Sequence, residues 1–125
     1  MDVGDADNDG LNEIVLAAFD TNSAVILESL GSDIWGDEKM SEPTPENVAI
    51  DYAKVRNADN IPGNEIVAGG NNNRLMIWKY NNMTEEGEYD LVFITEEDLG
   101  GFTQGVNAGD IDDDGLNEVI ILDSD

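Results

Sequence analysis

One tetrapeptide pattern recurs at a nearly fixed spacing and constrains this chain more than any other feature. Asn12-Glu13-Ile14-Val15, Asn64-Glu65-Ile66-Val67 and Asn117-Glu118-Val119-Ile120 stand 52 and 53 residues apart, each after a stretch rich in Asp and Asn. A period of this length belongs to repeat architectures, in which one supersecondary unit recurs and neighbouring units complete each other's core. Each Asn-Glu opens onto a short apolar, β-branched run (Ile14-Val15-Leu16-Ala17-Ala18, Ile66-Val67-Ala68, Val119-Ile120-Ile121-Leu122) that is too short for a helix and is bounded by turn residues. These runs predict buried strands. After a polar connector (Asp20-Thr21-Asn22, Asn71-Asn72-Asn73) come Ala24-Val25-Ile26-Leu27 and Leu75-Met76-Ile77-Trp78, so each pair reads as a hairpin. A third run follows around Ile34-Trp35 and over Tyr89 to Thr95, and a fourth over Val48 to Val55 and Thr103 to Ala108. Pro43, Pro45 and Pro62 fall in connectors, and no helix of useful length is expected.

Four short antiparallel strands per period predict an all-β fold built from β-propeller blades, small sheets packed face to face around an axis. The competing reading is a β-sandwich with coincidental spacing. The 125 residues hold about 2.4 such units, at approximately 1–52, 53–105 and 106–125, in a single propeller segment. Propellers typically close with about four to eight blades. The expectation is therefore a partial propeller, completed within a longer polypeptide or by several copies of the chain. The abrupt start inside a motif, Met1-Asp2-Val3-Gly4-Asp5, favours an excised segment.

Charge narrows the partners. The chain has 29 Asp+Glu against 5 Lys+Arg, for a formal net charge of -24. Such a surface repels phosphate backbones and anionic headgroups, so neither nucleic-acid binding nor membrane insertion is expected, and cations are the natural ligands. With no His and no Cys, imidazole and thiolate metal sites, disulfides and Cys nucleophiles are absent. The longest apolar run, Ile14 to Phe19, is strand-sized.

The acids are not scattered. Asp5-Ala6-Asp7-Asn8-Asp9-Gly10-Leu11-Asn12-Glu13 and Asp110-Ile111-Asp112-Asp113-Asp114-Gly115-Leu116-Asn117-Glu118 both spell D-x-D-x-D-G-x-x-E. Carboxylates at alternating positions of a tight loop converge on one point and repel one another unless a cation sits there. Calcium suits that point because it takes six to eight hard oxygens in flexible geometry, whereas magnesium prefers water and a stricter octahedron. Glycine at the sixth position permits a sharp turn that brings the carbonyl of the seventh (Leu11, Leu116) inward, and the glutamate closes the shell with up to two oxygens. Turn chemistry alone accounts for one or two of these aspartates, not for the whole ordered set twice. An EF-hand also begins D-x-D-x-D-G but requires an acid at the twelfth position, here Leu16 or Ile121. The middle unit reads Asn57-Ala58-Asp59-Asn60-Ile61-Pro62-Gly63-Asn64-Glu65, with Ile61 and Pro62 in place of the fifth-position acid and the sixth-position glycine. Little or no calcium is expected there, with Asn57 and Asp59 holding the turn by hydrogen bonds.

At Gly4 to Val15 and Gly109 to Ile120 the sequence resembles the FG-GAP/VCBS repeat family, of the microbial rather than the integrin type. The resemblance implies a calcium loop between the first and second strands of a blade. It assigns ligation to Asp5, Asp7, Asp9, the Leu11 carbonyl and Glu13, and to Asp110, Asp112, Asp114, the Leu116 carbonyl and Glu118. Many members carry Asp where this chain has Glu13 and Glu118, which leaves the denticity of these residues open.

The function expected from these features is a non-catalytic, calcium-binding propeller module of an extracellular or cell-surface protein, serving structure and adhesion to a protein or glycan. Two other readings are a purely architectural, self-assembling fragment and an accessory segment of a carbohydrate-active enzyme, with Trp35, Trp78 and Tyr80 as sugar-stacking candidates. The three loops hold 11 of the 29 acids. Two calcium ions would leave a net charge of about -20, and a salt-adapted acidic surface is one account of the remainder.

Overall fold

The repeated Glu-Ile/Val steps do become strands. The computed structural model describes residues 1–18, 22–32, 34–45, 48–71, 74–85, 87–95 and 101–124. Among them are ten strands and no helix: β1 (Asp2–Gly4), β2 (Glu13–Ala17), β3 (Ala24–Ser29), β4 (Trp35–Met40), β5 (Ile50–Arg56), β6 (Glu65–Gly70), β7 (Leu75–Asn81), β8 (Glu88–Ile94), β9 (Thr103–Gly109) and β10 (Glu118–Asp123). They form two four-stranded antiparallel sheets, β1-β2-β3-β4 and β5-β6-β7-β8, and a two-stranded antiparallel sheet, β9-β10. Parts of both predicted hairpin connectors, residues 20–21 and 72–73, lie outside the described residues.

Burial follows the pleat. β3 alternates strictly between buried and half-buried residues, as a strand with one face against a core must. In β6 (Glu-Ile-Val-Ala-Gly-Gly) every residue is buried, because another sheet covers each of its faces. The core joins the first and second sheets through Val15 and Ile26 on one side and Ile50, Val55, Ile66, Met76, Trp78 and Tyr89 on the other. Full burial of a large apolar side chain contributes about 2–3 kcal/mol, so this shared layer holds the sheets together. β5 lies against β1 and β2, and β9 against β5 and β6. The second seam is tight. A Cβ on Gly69 would stand 2.3 Å from Thr103 Cγ2, and the Thr103 hydroxyl donates to the Gly70 carbonyl. β4 is the exposed edge of the first sheet, with Trp35 half exposed. No helix of the described residues is long and apolar enough to cross a membrane.

Candidate metal centres

Each acidic loop connects equivalent strands: residues 5–12 join β1 to β2, 57–64 join β5 to β6, and 110–117 join β9 to β10. Local chemistry fixes their common shape. The fourth position adopts a left-handed conformation in all three, at Asn8 (φ 64°), Asn60 (φ 63°) and Asp113 (φ 62°), which are the non-glycine residue types that best tolerate it. Gly10 and Gly115 follow at φ 95° and 90°. In the middle loop, Pro62 holds the glycine's place and the positive φ moves one residue on, to Gly63 at 131°. The flexible glycine is thus displaced there, not lost.

Backbone amides turn towards the carboxylates. Asp5 Oδ2 accepts from Gly10 N–H at 3.1 Å, Asp7 Oδ1 from Asp9 N–H at 3.1 Å, and Asp9 Oδ1 from Leu11 N–H at 2.7 Å. The last loop repeats this set: Asp110 Oδ2 with Gly115 N–H at 2.9 Å, Asp112 Oδ1 with Asp114 N–H at 3.2 Å, and Asp114 Oδ1 with Leu116 N–H at 2.8 Å. In all three loops the closing glutamate's Oε2 accepts from the second residue's N–H: Glu13 from Ala6 at 2.7 Å, Glu65 from Ala58 at 2.8 Å and Glu118 from Ile111 at 3.0 Å. That bond commits one oxygen to the backbone.

Two sets of carboxylates, Asp5-Asp7-Glu13 and Asp110-Asp112-Glu118, each bring one oxygen per residue within 4.8 Å of one another and are able to hold a metal ion. Asp9 and Asp114 fall outside these sets; like the other loop aspartates they accept a backbone N–H, here from Leu11 and Leu116, whose side chains are exposed. The first set is the more enclosed. Glu13 is fully buried, and its Oε1, like Asp5 Oδ1, has no hydrogen-bond partner. A buried carboxylate oxygen without a partner is costly unless a cation reaches it. Burial pushes the Glu13 carboxyl up to about 7, with Asp7 and Glu28 adding to the rise against the pull of the Ala6 N–H. Asp7 is raised too, by burial first and then by Asp9, Glu28 and Asp5.

The middle loop pairs its two acids with one side-chain ammonium. Asn57 Oδ1 accepts from Asn60 N–H at 3.0 Å, and Asp59 Oδ1 accepts from Ile61 N–H at 2.9 Å, the turn bonds expected of these residues. Beyond that expectation, Lys79 on β7 places its ammonium 2.6 Å from Asp59 Oδ2 and 3.5 Å from Glu65 Oε1. Although burial opposes it, the bond from Lys79 lowers the Asp59 carboxyl, and the bond to Asp59 raises Lys79 in turn.

Successive loops are also hooked together. Asn8 Oδ1 accepts from Asn64 N–H at 2.7 Å, while Asn64 Nδ2 donates to the Asp5 carbonyl at 2.9 Å. One unit later, Asn60 Oδ1 accepts from Asn117 N–H and Asn117 Nδ2 donates to the Asn57 carbonyl at 2.9 Å. The repeated Asn at the eighth position was the available sequence signal, but its partner lies in another repeat. Of the aromatic candidates, Trp78 is fully buried with its indole N–H on the Glu42 carbonyl at 2.8 Å, and Tyr80 packs on Tyr89 with ring centroids 5.1 Å apart. Only Trp35 stands open to solvent among the three. The chain matches no protein-family model, no curated protein and no solved structure.

Proposed function

We propose that this chain is a stretch of calcium-stabilised propeller blades of the FG-GAP/VCBS type, serving as a non-catalytic structural and interaction module of an extracellular or cell-surface protein. The observation that carries the reading is the Asp5-Asp7-Glu13 cluster, in which Glu13 has a buried, unpartnered Oε1. An all-oxygen donor set of carboxylates suits a hard cation, and calcium, which takes six to eight oxygens in flexible geometry, fits such a loop better than magnesium with its strict octahedron. The Asp110-Asp112-Glu118 cluster is the second, more exposed site. Repetition of the strand-loop-strand unit, with β1, β5 and β9 side by side at the sheet seams, supports the blade arrangement. Extracellular modules bind calcium at about 10⁻⁴ to 10⁻³ M, matched to calcium outside cells. Calorimetric titration with calcium and with magnesium, beside melting in chelator, tests the reading: two calcium sites and a raised Tm support it, and an unchanged Tm refutes it.

A second reading, closure of a ring by further blades, rests on the two-stranded sheet. It leaves Phe102, Ile120 and Leu122 exposed, an apolar surface of the kind a following blade covers. If copies of this chain supply that blade, the native mass is a multiple of the 13.5 kDa chain. A monomeric mass with well-dispersed spectra refutes self-assembly.

A further inference from the structure

Lys79 and Glu28 occupy the same place in successive sheets. Ile66 pairs with Trp78 across β6 and β7, so the next step along the ladder sets Glu65 opposite Lys79. Ile14 pairs with Leu27 across β2 and β3, so the equivalent step sets Glu13 opposite Glu28. One cross-strand position, facing the glutamate that closes the loop, thus carries an ammonium in one unit and a carboxylate in the other.

The consequences differ at each loop. At the middle loop the ammonium sits between Asp59 and the buried Glu65, whose Oε1 has no hydrogen-bond donor and finds its nearest positive charge in Lys79 at 3.5 Å. At the first loop the same position adds a further negative charge. Glu28 is buried, held by Lys39 at 3.3 Å and by the Tyr89 hydroxyl at 3.5 Å, and neither of these reaches the free Glu13 oxygen as a hydrogen-bond partner.

We propose that this cross-strand residue decides which cation each loop uses: Lys79 supplies the middle loop with a positive charge from the chain itself, whereas Glu28 leaves the first loop dependent on a divalent cation from solution. The part concerning Glu28 rests on the calcium reading above; the part concerning Lys79 does not. Lys79 is therefore a specificity-determining residue, and it accounts for a loop that keeps its shape with Ile61 at the fifth position.

The experiment compares wild type, Lys79→Gln and Lys79→Arg as full chains by thermal melting in chelator, and wild type with Glu28→Gln by calcium titration. Chelator removes calcium from the first arm, so failure of the calcium reading and failure of the Lys79 proposal are read separately. Loss of the only charge paired with the buried Glu65 among the described residues is expected to lower the Tm of Lys79→Gln by about 5 °C or more, with Lys79→Arg restoring most of it. If Lys79→Gln does not fold in chelator while Lys79→Arg does, the proposal is equally supported. Equal melting of Lys79→Gln and wild type, or equal losses in both variants, overturns it. Removing the Glu28 charge beside the first loop is expected to weaken calcium binding by about 3-fold or more through the lost field. Unchanged affinity in a wild type that binds calcium overturns the role given to Glu28.

Discussion

Replacing Glu13 by Gln probes the first loop most directly, because the substitution is expected to act in opposite directions with and without a cation. A carboxyl held at about 7 instead of its ordinary 4.5 is destabilised when ionised within the fold. Without calcium, this group lets full stability develop below about pH 4.5, withdraws it as pH rises towards 7, and leaves a constant deficit above. At about 1.4 kcal/mol per tenfold shift in the proton equilibrium, the deficit reaches at most about 3 kcal/mol, equivalent to about 10 °C in Tm for a chain of this size. Glutamine keeps an oxygen for the Ala6 N–H and carries no charge. In chelator at pH 8, Glu13→Gln should therefore melt above wild type by up to about 10 °C, and near pH 4.5 the two should converge. Saturating calcium should invert the order, since wild type gains a first-loop ligand that the variant has lost, while both keep the response of residues 110–118. Scanning calorimetry across pH, with and without calcium, reads both effects. A variant less stable than wild type in chelator at pH 8, or an identical calcium response in the two proteins, refutes the argument that Glu13 Oε1 is a buried charge awaiting a cation.

Other expectations are simpler. Asp2 is half-buried, which alone would raise its carboxyl, yet the Val55 N–H, Arg56 at 2.8 Å and Lys54 at 3.5 Å together hold it below the ordinary carboxylate range. Its stabilisation is present above about pH 4 and fades as pH falls through the lowered value, so Asp2→Asn should cost about 1 kcal/mol at pH 7 and progressively less as pH falls below about 4, as measured by urea melts. Gly69→Ala drives a methyl into Thr103 Cγ2 and should cost about 1–3 kcal/mol; an unchanged Tm would mean that the β6–β9 seam is looser than described. Asn60→Gly keeps the positive φ while deleting the side-chain bonds to Asn117, and should cost about 1 kcal/mol, with Asn60→Ala costing more because alanine resists that backbone.

The strands were legible because their signals are local. Apolar β-branched runs after Asn-Glu, at nearly constant spacing, place β2, β6 and β10 to within two residues at either end. β4 was harder: its sequence, Trp-Gly-Asp-Glu-Lys-Met, alternates poorly because the strand is an exposed edge, and the apolar cue at Ile34-Trp35 marks only its beginning. The D-x-D-x-D-G-x-x-E pattern identified the residues that gather but not how they divide the work. Each acid of the pattern, gathered or not, also accepts a backbone N–H, because the orphan N–H groups of a tight loop need acceptors and these side chains are the nearest ones. Lys79 and Glu28 were invisible as site residues. They follow their loops' closing glutamates by 14 and 15 residues, and only the strand register brings them opposite.

The asparagine hooks have a consequence for how such a repeat tolerates substitution. They use the fourth and eighth loop positions and the carbonyl of the first, while the gathered carboxylates use the side chains of the first, third and ninth. Two codes are interleaved in nine residues with almost no shared atoms. A unit can therefore lack one code and keep the other, as the middle loop does: its first residue is Asn57 where the other loops have an aspartate, yet Asn60 and Asn64 still engage Asn117 and Asn8 in the adjoining units. Mechanical continuity along the row of loops is thus encoded separately from cation demand.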